Sequence, residues 1–129
     1  METILVQETD TATLEVLTFA LQMEGYRVCG VAEQNENIID LIRRYHPRLV
    51  LLDCWLSHYA GKQVLHWIKA HFPQLPVIAF SCDNQIDEEY HQLGFDGYLK
   101  KPFDLEVLYR AIRKYLPRRS RRRKQTVII

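Results

Sequence analysis

The stretch Arg48-Leu49-Val50-Leu51-Leu52-Asp53 decides the fold. Residues 49–52 form an unbroken apolar run that stops abruptly at one carboxylate. A run of that length without alternation reads as a strand buried on both faces, the kind found at the centre of a parallel sheet. In an open α/β sheet, ligands bind outside the carboxyl ends of the strands. Asp53 is therefore placed at the mouth of a site. This stretch alone leaves open the alternative that Asp53 only begins a turn.

The flanking sequence repeats the same unit. Thr3-Ile4-Leu5-Val6-Gln7 reads as a first buried strand, ending in the polar cluster Glu8-Thr9-Asp10. Leu14, Leu17 and Leu21 follow at helical spacing, and Gly25 is placed to stop that helix. Residues 26–31 are a shorter, more polar strand, expected at an edge. Ile38, Leu41, Ile42 and Tyr45 mark a second helix, ended by Pro47. After the central strand, residues 54–60 read as loop. Val64, Leu65, Ile68 and Phe72 mark a third helix, ended by Pro73. Residues 76–80 are a fourth strand that ends at Ser81. Ile86, Tyr90 and Leu93 mark a polar fourth helix with Gly94 as its stop. Residues 96–100 form a short fifth strand before Lys101-Pro102. Asp104 caps a fifth helix with Leu105, Leu108, Ile112 and Leu116 facing inward. Five strand–helix units in alternation predict a single doubly wound α/β domain, a parallel sheet with helices on both faces and right-handed crossovers.

Composition agrees. The chain has 129 residues, 47% hydrophobic and 26% charged, which suits one globular domain. No run of about 18 apolar residues reads as a membrane span. The start, Met1-Glu2-Thr3, does not resemble a signal peptide, so a cytoplasmic location is expected. Cys29, Cys54 and Cys82 match neither a disulfide framework nor a zinc motif. The net charge of +1 conceals an asymmetry. Arg118, Arg119, Arg121, Arg122, Arg123 and Lys124 contribute six positive charges, so the acidic body, residues 1–117, carries −5 and the tail, residues 118–129, carries the balance.

In this topology Glu8, Asp53, Ser81 and Lys101 each follow a strand and converge on one edge of the sheet. Two carboxylates, a hydroxyl and a lysine in one cleft suit a phosphoryl group handled with a divalent cation. Carboxylates hold Mg²⁺ through oxygen, and the cation and lysine neutralise the transferred group.

These residues resemble those of a response-regulator receiver domain, over about residues 3–116. The family's acidic pair falls on Glu8-Thr9, its phosphoacceptor on Asp53 with Gly61 eight positions later, its small hydroxyl residue on Ser81, and its Lys-Pro-Phe signature on Lys101-Pro102-Phe103. The resemblance implies a flavodoxin-like five-stranded sheet of order 2-1-3-4-5 and a cis Lys101–Pro102 peptide. It implies Mg²⁺ held by Glu8, Asp53 and the Trp55 backbone carbonyl, phosphorylation of Asp53 from a sensor histidine kinase or phosphotransfer protein, and Lys101 and Ser81 on the phosphoryl oxygens. Ser81 and Tyr98 would act as the switch that passes the change to the face of the fourth helix, fifth strand and fifth helix. There a downstream output protein or domain, or a second copy in a homodimer, would read it. The chain would be no enzyme beyond self-catalysed phosphoryl transfer onto Asp53 and its hydrolysis.

Thr9 departs from the pattern, because the family usually has Asp there. A hydroxyl brings no charge, so Mg²⁺ should bind weakly unless Asp10 compensates. Asp10 is better explained as the cap of the first helix. Ser57 stands in place of a usual Pro, Trp55 is bulky beside the nucleophile, and Cys82 stands where Ala is usual. The main alternative is a degenerate receiver, an interaction module that has lost efficient phosphorylation. Another is a fragment of a DNA-binding response regulator whose linker is the basic tail, with nucleic acid bound through that tail or through an output domain. A run of like charges is usually disordered and solvated. A Cys54–Cys82 redox pair is disfavoured, since buried or half-buried free thiols are the usual case. His46, His58, His66, His71 and His91 share no metal spacing and read as surface or boundary residues. The segment Thr9-Asp10-Thr11-Ala12-Thr13 lacks the glycine of a flavodoxin phosphate loop. Trp55 occupies the position where a haloacid dehalogenase phosphatase needs a second acid.

Overall fold

The structure of the protein, a computed structural model, describes residues 1–54 and 59–116, with the backbone alone at 59–61. Five strands, β1 (Thr3–Gln7), β2 (Arg27–Val31), β3 (Leu49–Asp53), β4 (Val77–Ser81) and β5 (Gly97–Lys100), alternate with α1 (Thr11–Met23), α2 (Asn37–Tyr45), α3 (Tyr59–His71), α4 (Ile86–Leu93) and α5 (Leu105–Arg113). Every strand pair is parallel and the order is β2-β1-β3-β4-β5. The expected fold, order and edge position of β2 are all borne out. The helical periodicity misses the beginning of α3, which includes Tyr59 and Ala60, and runs past the end of α5, where residues 114–116 form a turn. Leu116 is nevertheless buried.

The apolar run of β3 is explained by its two faces. Leu49 and Leu51 join Leu17, Leu21, Phe80, Leu108 and Ile112 on the α1/α5 side. Val50 and Leu52 join Ile38, Ile42, Val64, Ile68 and Ile86 on the α2–α4 side. Each such side chain contributes about 1.5–3 kcal/mol on burial, so polar substitution in β3 costs the fold on either face. Strands β1, β3 and β4 are buried throughout, whereas β2 is half open, consistent with its polar sequence.

Helix ends set the loops of the site. Asp10 caps α1, its carboxylate accepting from the Thr13 N–H at 3.1 Å and from the Thr13 hydroxyl. Asp104 caps α5 by accepting from the Val107 N–H at 2.9 Å. Gly94 ends α4 at φ 105°, a left-handed conformation that a side chain would strain. At Gly97, a Cβ would lie 2.8 Å from the Tyr115 hydroxyl, which donates to the Asp96 carbonyl at 3.0 Å. The absence of a side chain there lets α5 close on β5. Among the described residues, no helix is long and apolar enough to cross a membrane.

Candidate functional site

Glu8, Asp53 and Ser81 are nearly excluded from solvent, at 1%, 2% and 1% exposure, in a molecule whose other deeply buried groups are almost all apolar. Buried charge is unfavourable unless it is paired. The pairing group is Lys101, whose ammonium donates to Glu8 Oε1 at 2.7 Å and to Asp53 Oδ1 at 2.9 Å. Residues 93 and 48 positions apart in sequence thus meet on one nitrogen. The Lys101–Pro102 peptide is cis, as expected. The Lys101 backbone N–H donates to the Ser81 carbonyl at 2.7 Å, which seats the lysine beside β4. Its ammonium also lies 4.6 Å from the centre of the Phe80 ring, against which Phe103 packs edge-on. Partial burial opposes the Lys101 charge, but the bonds to Glu8 and Asp53 prevail and hold its pKa above the ordinary lysine value.

The remaining sequence-derived positions divide clearly. Ser81 ends β4, with its hydroxyl accepting from the Asp83 N–H and donating to the Asp83 carboxylate, both at 3.1 Å. Tyr98 is 39% exposed and rests against Tyr90 at 5.1 Å between ring centres. Thr9 is exposed. Asp10 is exposed and committed to Thr13, whose bonds hold its carboxyl below the ordinary range. The Asp10 backbone N–H, in contrast, donates to Glu8 Oε2 at 2.9 Å, so the helix start helps to orient Glu8. The Trp55 carbonyl, Ser57, His58 and the tail of residues 118–129 lie outside the described residues. The other four histidines are exposed, as expected.

The Cys54 thiol is buried, and burial, followed by the nearby charges of Asp83 and Asp53, pushes its pKa up to about 11. Cys82 is exposed and all three cysteines are free, which leaves Cys54 protonated and unreactive at neutral pH.

Two residues near Asp53 were not singled out by the sequence reading. Gln7 is fully buried, and its amide reaches both the end of β3 and the loop after β2. Its Oε1 accepts from the Asp53 N–H at 3.2 Å and from Gln34 Nε2 at 2.8 Å, while its Nε2 donates to the Ala32 carbonyl at 2.9 Å. Gln34 Nε2 also donates to the Asp53 carbonyl at 2.6 Å. The available signal was an amide at the end of an otherwise apolar strand, since a buried polar residue is more informative than an exposed apolar one.

No group of three or more His, Cys, Asp or Glu residues converges to hold a metal among the described residues. Glu8 and Asp53 do converge, because they share one ammonium. Mg²⁺ is commonly held by one or two carboxylates and several waters, so this donor set fits the ion with fewer charges than three acids would supply.

A match to the response regulator receiver domain family covers residues 4–113. The chain belongs to that family. Receiver domains act in two-component signalling, generally as phosphoacceptors, and are not classical enzymes. The receiver domain is 30% identical over 118 residues to the probable transcriptional regulatory protein TcrX of Mycobacterium tuberculosis, covering 90% of this chain and 50% of that one. It thus spans about half the length of that relative. It is 26% identical to the polar-differentiation response regulator DivK of Brucella ovis, covering 89% of this chain and 96% of DivK. Among solved structures, the receiver domain of the sensor histidine kinase PA1611 from Pseudomonas aeruginosa superposes with a TM-score of 0.75 at 27% identity. That likeness covers 88% of this chain and 96% of the other, which carries a magnesium ion in its active-site cleft.

Proposed function

We propose that this receiver domain is a phosphorylation switch in which Asp53 is the phosphoacceptor, assisted by Mg²⁺ and Lys101. The observation that carries the reading is the single ammonium shared by two carboxylates at the carboxyl end of the sheet. An Asp53 carboxylate oxygen attacks phosphorus, the bond from phosphorus to the donor's leaving group breaks, and an acyl phosphate forms. Lys101 then has a phosphoryl oxygen to pair with as well as Glu8. Glu8, Asp53 and the Trp55 carbonyl would hold Mg²⁺, which neutralises charge on the transferred group. A sensor histidine kinase or phosphotransfer protein is the donor, by likeness to the family.

The added charge, roughly two units, biases the surface of α4, β5 and α5. Ser81 gives up Asp83 for the phosphoryl group, and Tyr98 leaves Tyr90 to turn inward behind it. An output protein, an output domain or a second copy reads that face. The domain proper is residues 1–117.

The deciding measurement is intact mass after incubation with acetyl phosphate, with and without Mg²⁺. A Mg²⁺-dependent gain of about 80 Da, one phosphoryl group on a carboxylate, is expected. A folded protein that gains nothing would instead be a phosphorylation-independent interaction module. The exposed, uncharged Thr9 is the observation that favours this second reading.

Thr9 also gives a metal prediction. Thr9→Asp supplies a third carboxylate and should tighten Mg²⁺ binding by about tenfold, roughly 1.4 kcal/mol. Asp10→Ala should destabilise α1 and leave Mg²⁺ affinity unchanged, because its carboxylate serves Thr13. Calorimetric titration with Mg²⁺ separates the two roles. Weaker binding by Asp10→Ala would make Asp10 the compensating ligand.

A further inference from the structure

Asp53 ends β3, one residue past the last pairing of β3 with β1 at Leu52, and its main chain is gripped by side chains on that side. Its N–H donates to Gln7 Oε1, and its carbonyl accepts from Gln34 Nε2. The two glutamines are bonded to each other at 2.8 Å, and Gln7 is tied to the Ala32 carbonyl on the loop after β2. Every polar atom of the Gln7 amide is therefore used, at a position with no solvent exposure. A buried amide in a core strand costs desolvation and is stable only when fully bonded. An apolar residue would serve the sheet as well as Leu5 does one pleat earlier on the same face. Stability of the strand therefore does not account for Gln7, whereas its bonds to the flanks of Asp53 do.

The consequence is geometric. With both main-chain polar groups of Asp53 fixed from the β1/β2 side, the peptide plane on each side of its Cα is fixed. The carboxylate then has only its own two torsions with which to meet Lys101, which approaches from the β4/β5 side. Reactions that depend on in-line approach are sensitive to displacements of about 1 Å at the nucleophile.

We propose that Gln7 and Gln34 form a clamp on the Asp53 main chain and are positioning residues for its phosphorylation. The proposal rests on Asp53 being the phosphoacceptor. Gln34 is the more informative site to alter, because it sits on a loop and is only partly buried, so Gln34→Ala should fold. Its phosphorylation at saturating acetyl phosphate should slow by about tenfold. The half-saturating acetyl phosphate concentration and the melting temperature should be unchanged. A purely structural residue would move the melting temperature instead. Gln7→Leu, which removes the hub of the network, should slow the reaction at least as much.

A second readout does not need the reaction. Hydrogen exchange at the Asp53 amide should be slow in the unaltered protein and accelerate about tenfold or more in Gln7→Leu and in Gln34→Ala. Wild-type phosphorylation rates in Gln34→Ala, or unchanged exchange at the Asp53 amide in both variants, would overturn the clamp. If the unaltered protein takes no label, the phosphoacceptor reading fails on its own evidence, and the exchange experiment still decides whether the glutamines hold Asp53.

Discussion

Asp53→Asn should keep the fold and lose all of the Mg²⁺-dependent mass gain from acetyl phosphate. The two side chains are nearly isosteric, and the main-chain bonds of residue 53 to Gln7 and Gln34 do not involve the carboxylate. An asparagine Oδ1 can still accept from Lys101, so the ammonium keeps that partner. The substitution removes the proposed nucleophile and one of the two charges that would hold the metal. The expected result is cooperative melting close to that of the unaltered protein, together with no label on the peptide that carries residue 53. Labelling of Ser81 or Thr9 in the variant would show that the cleft directs phosphoryl transfer but that a hydroxyl can replace the nucleophile. Persistent label on the residue 53 peptide would remove Asp53 from the role altogether.

The architecture was legible because burial and polarity follow the strands so closely. Residues 49–52 are apolar on both faces because α1/α5 and α2–α4 cover both, and the polar residue that follows each strand marks the sheet's carboxyl edge. That is why the sequence groups Glu8, Asp53, Ser81 and Lys101 at one edge, and why Glu8 and Asp53 meet on the Lys101 nitrogen. The division of labour between Thr9 and Asp10 depended on a shift of one residue. The structure gives Asp10 the α1 cap, its carboxylate accepting from the Thr13 N–H. The Gln7–Gln34 network was illegible for a different reason. Its bonds span 19 to 46 positions, and no local periodicity encodes side chains that join the ends of β1 and β3 to the loop after β2. Ser81 was placed correctly, but its bonds to Asp83 depend on the turn after β4, which its sequence does not specify.

Lys101→Met should destabilise the protein by about 3 kcal/mol at pH 7, towards the lower end for breaking a buried ion pair because the lysine side chain is 21% exposed. Methionine keeps the apolar stem against Phe80 but leaves Glu8 and Asp53 as neighbouring, unneutralised carboxylates. In the variant, two like charges share one buried site with no cation between them, which is unfavourable while both are charged. That penalty is absent below the unfolded carboxylate pKa and grows as pH rises, so the stability gap to the unaltered protein should narrow from pH 7 to pH 5. The unaltered protein behaves oppositely at the alkaline end. The raised Lys101 pKa contributes stability that is fully present below the ordinary lysine value of 10.5 and is lost as pH rises through the higher folded value. Melting curves across this range, with and without millimolar Mg²⁺, test the whole scheme. Mg²⁺ should raise the melting temperature of Lys101→Met more than that of the unaltered protein, because the vacated carboxylates then have no other cation and binding to the folded state alone stabilises it. A gap that does not change with pH would mean that Lys101 contributes packing rather than charge. Equal effects of Mg²⁺ on both proteins would mean that the ion binds away from Glu8 and Asp53.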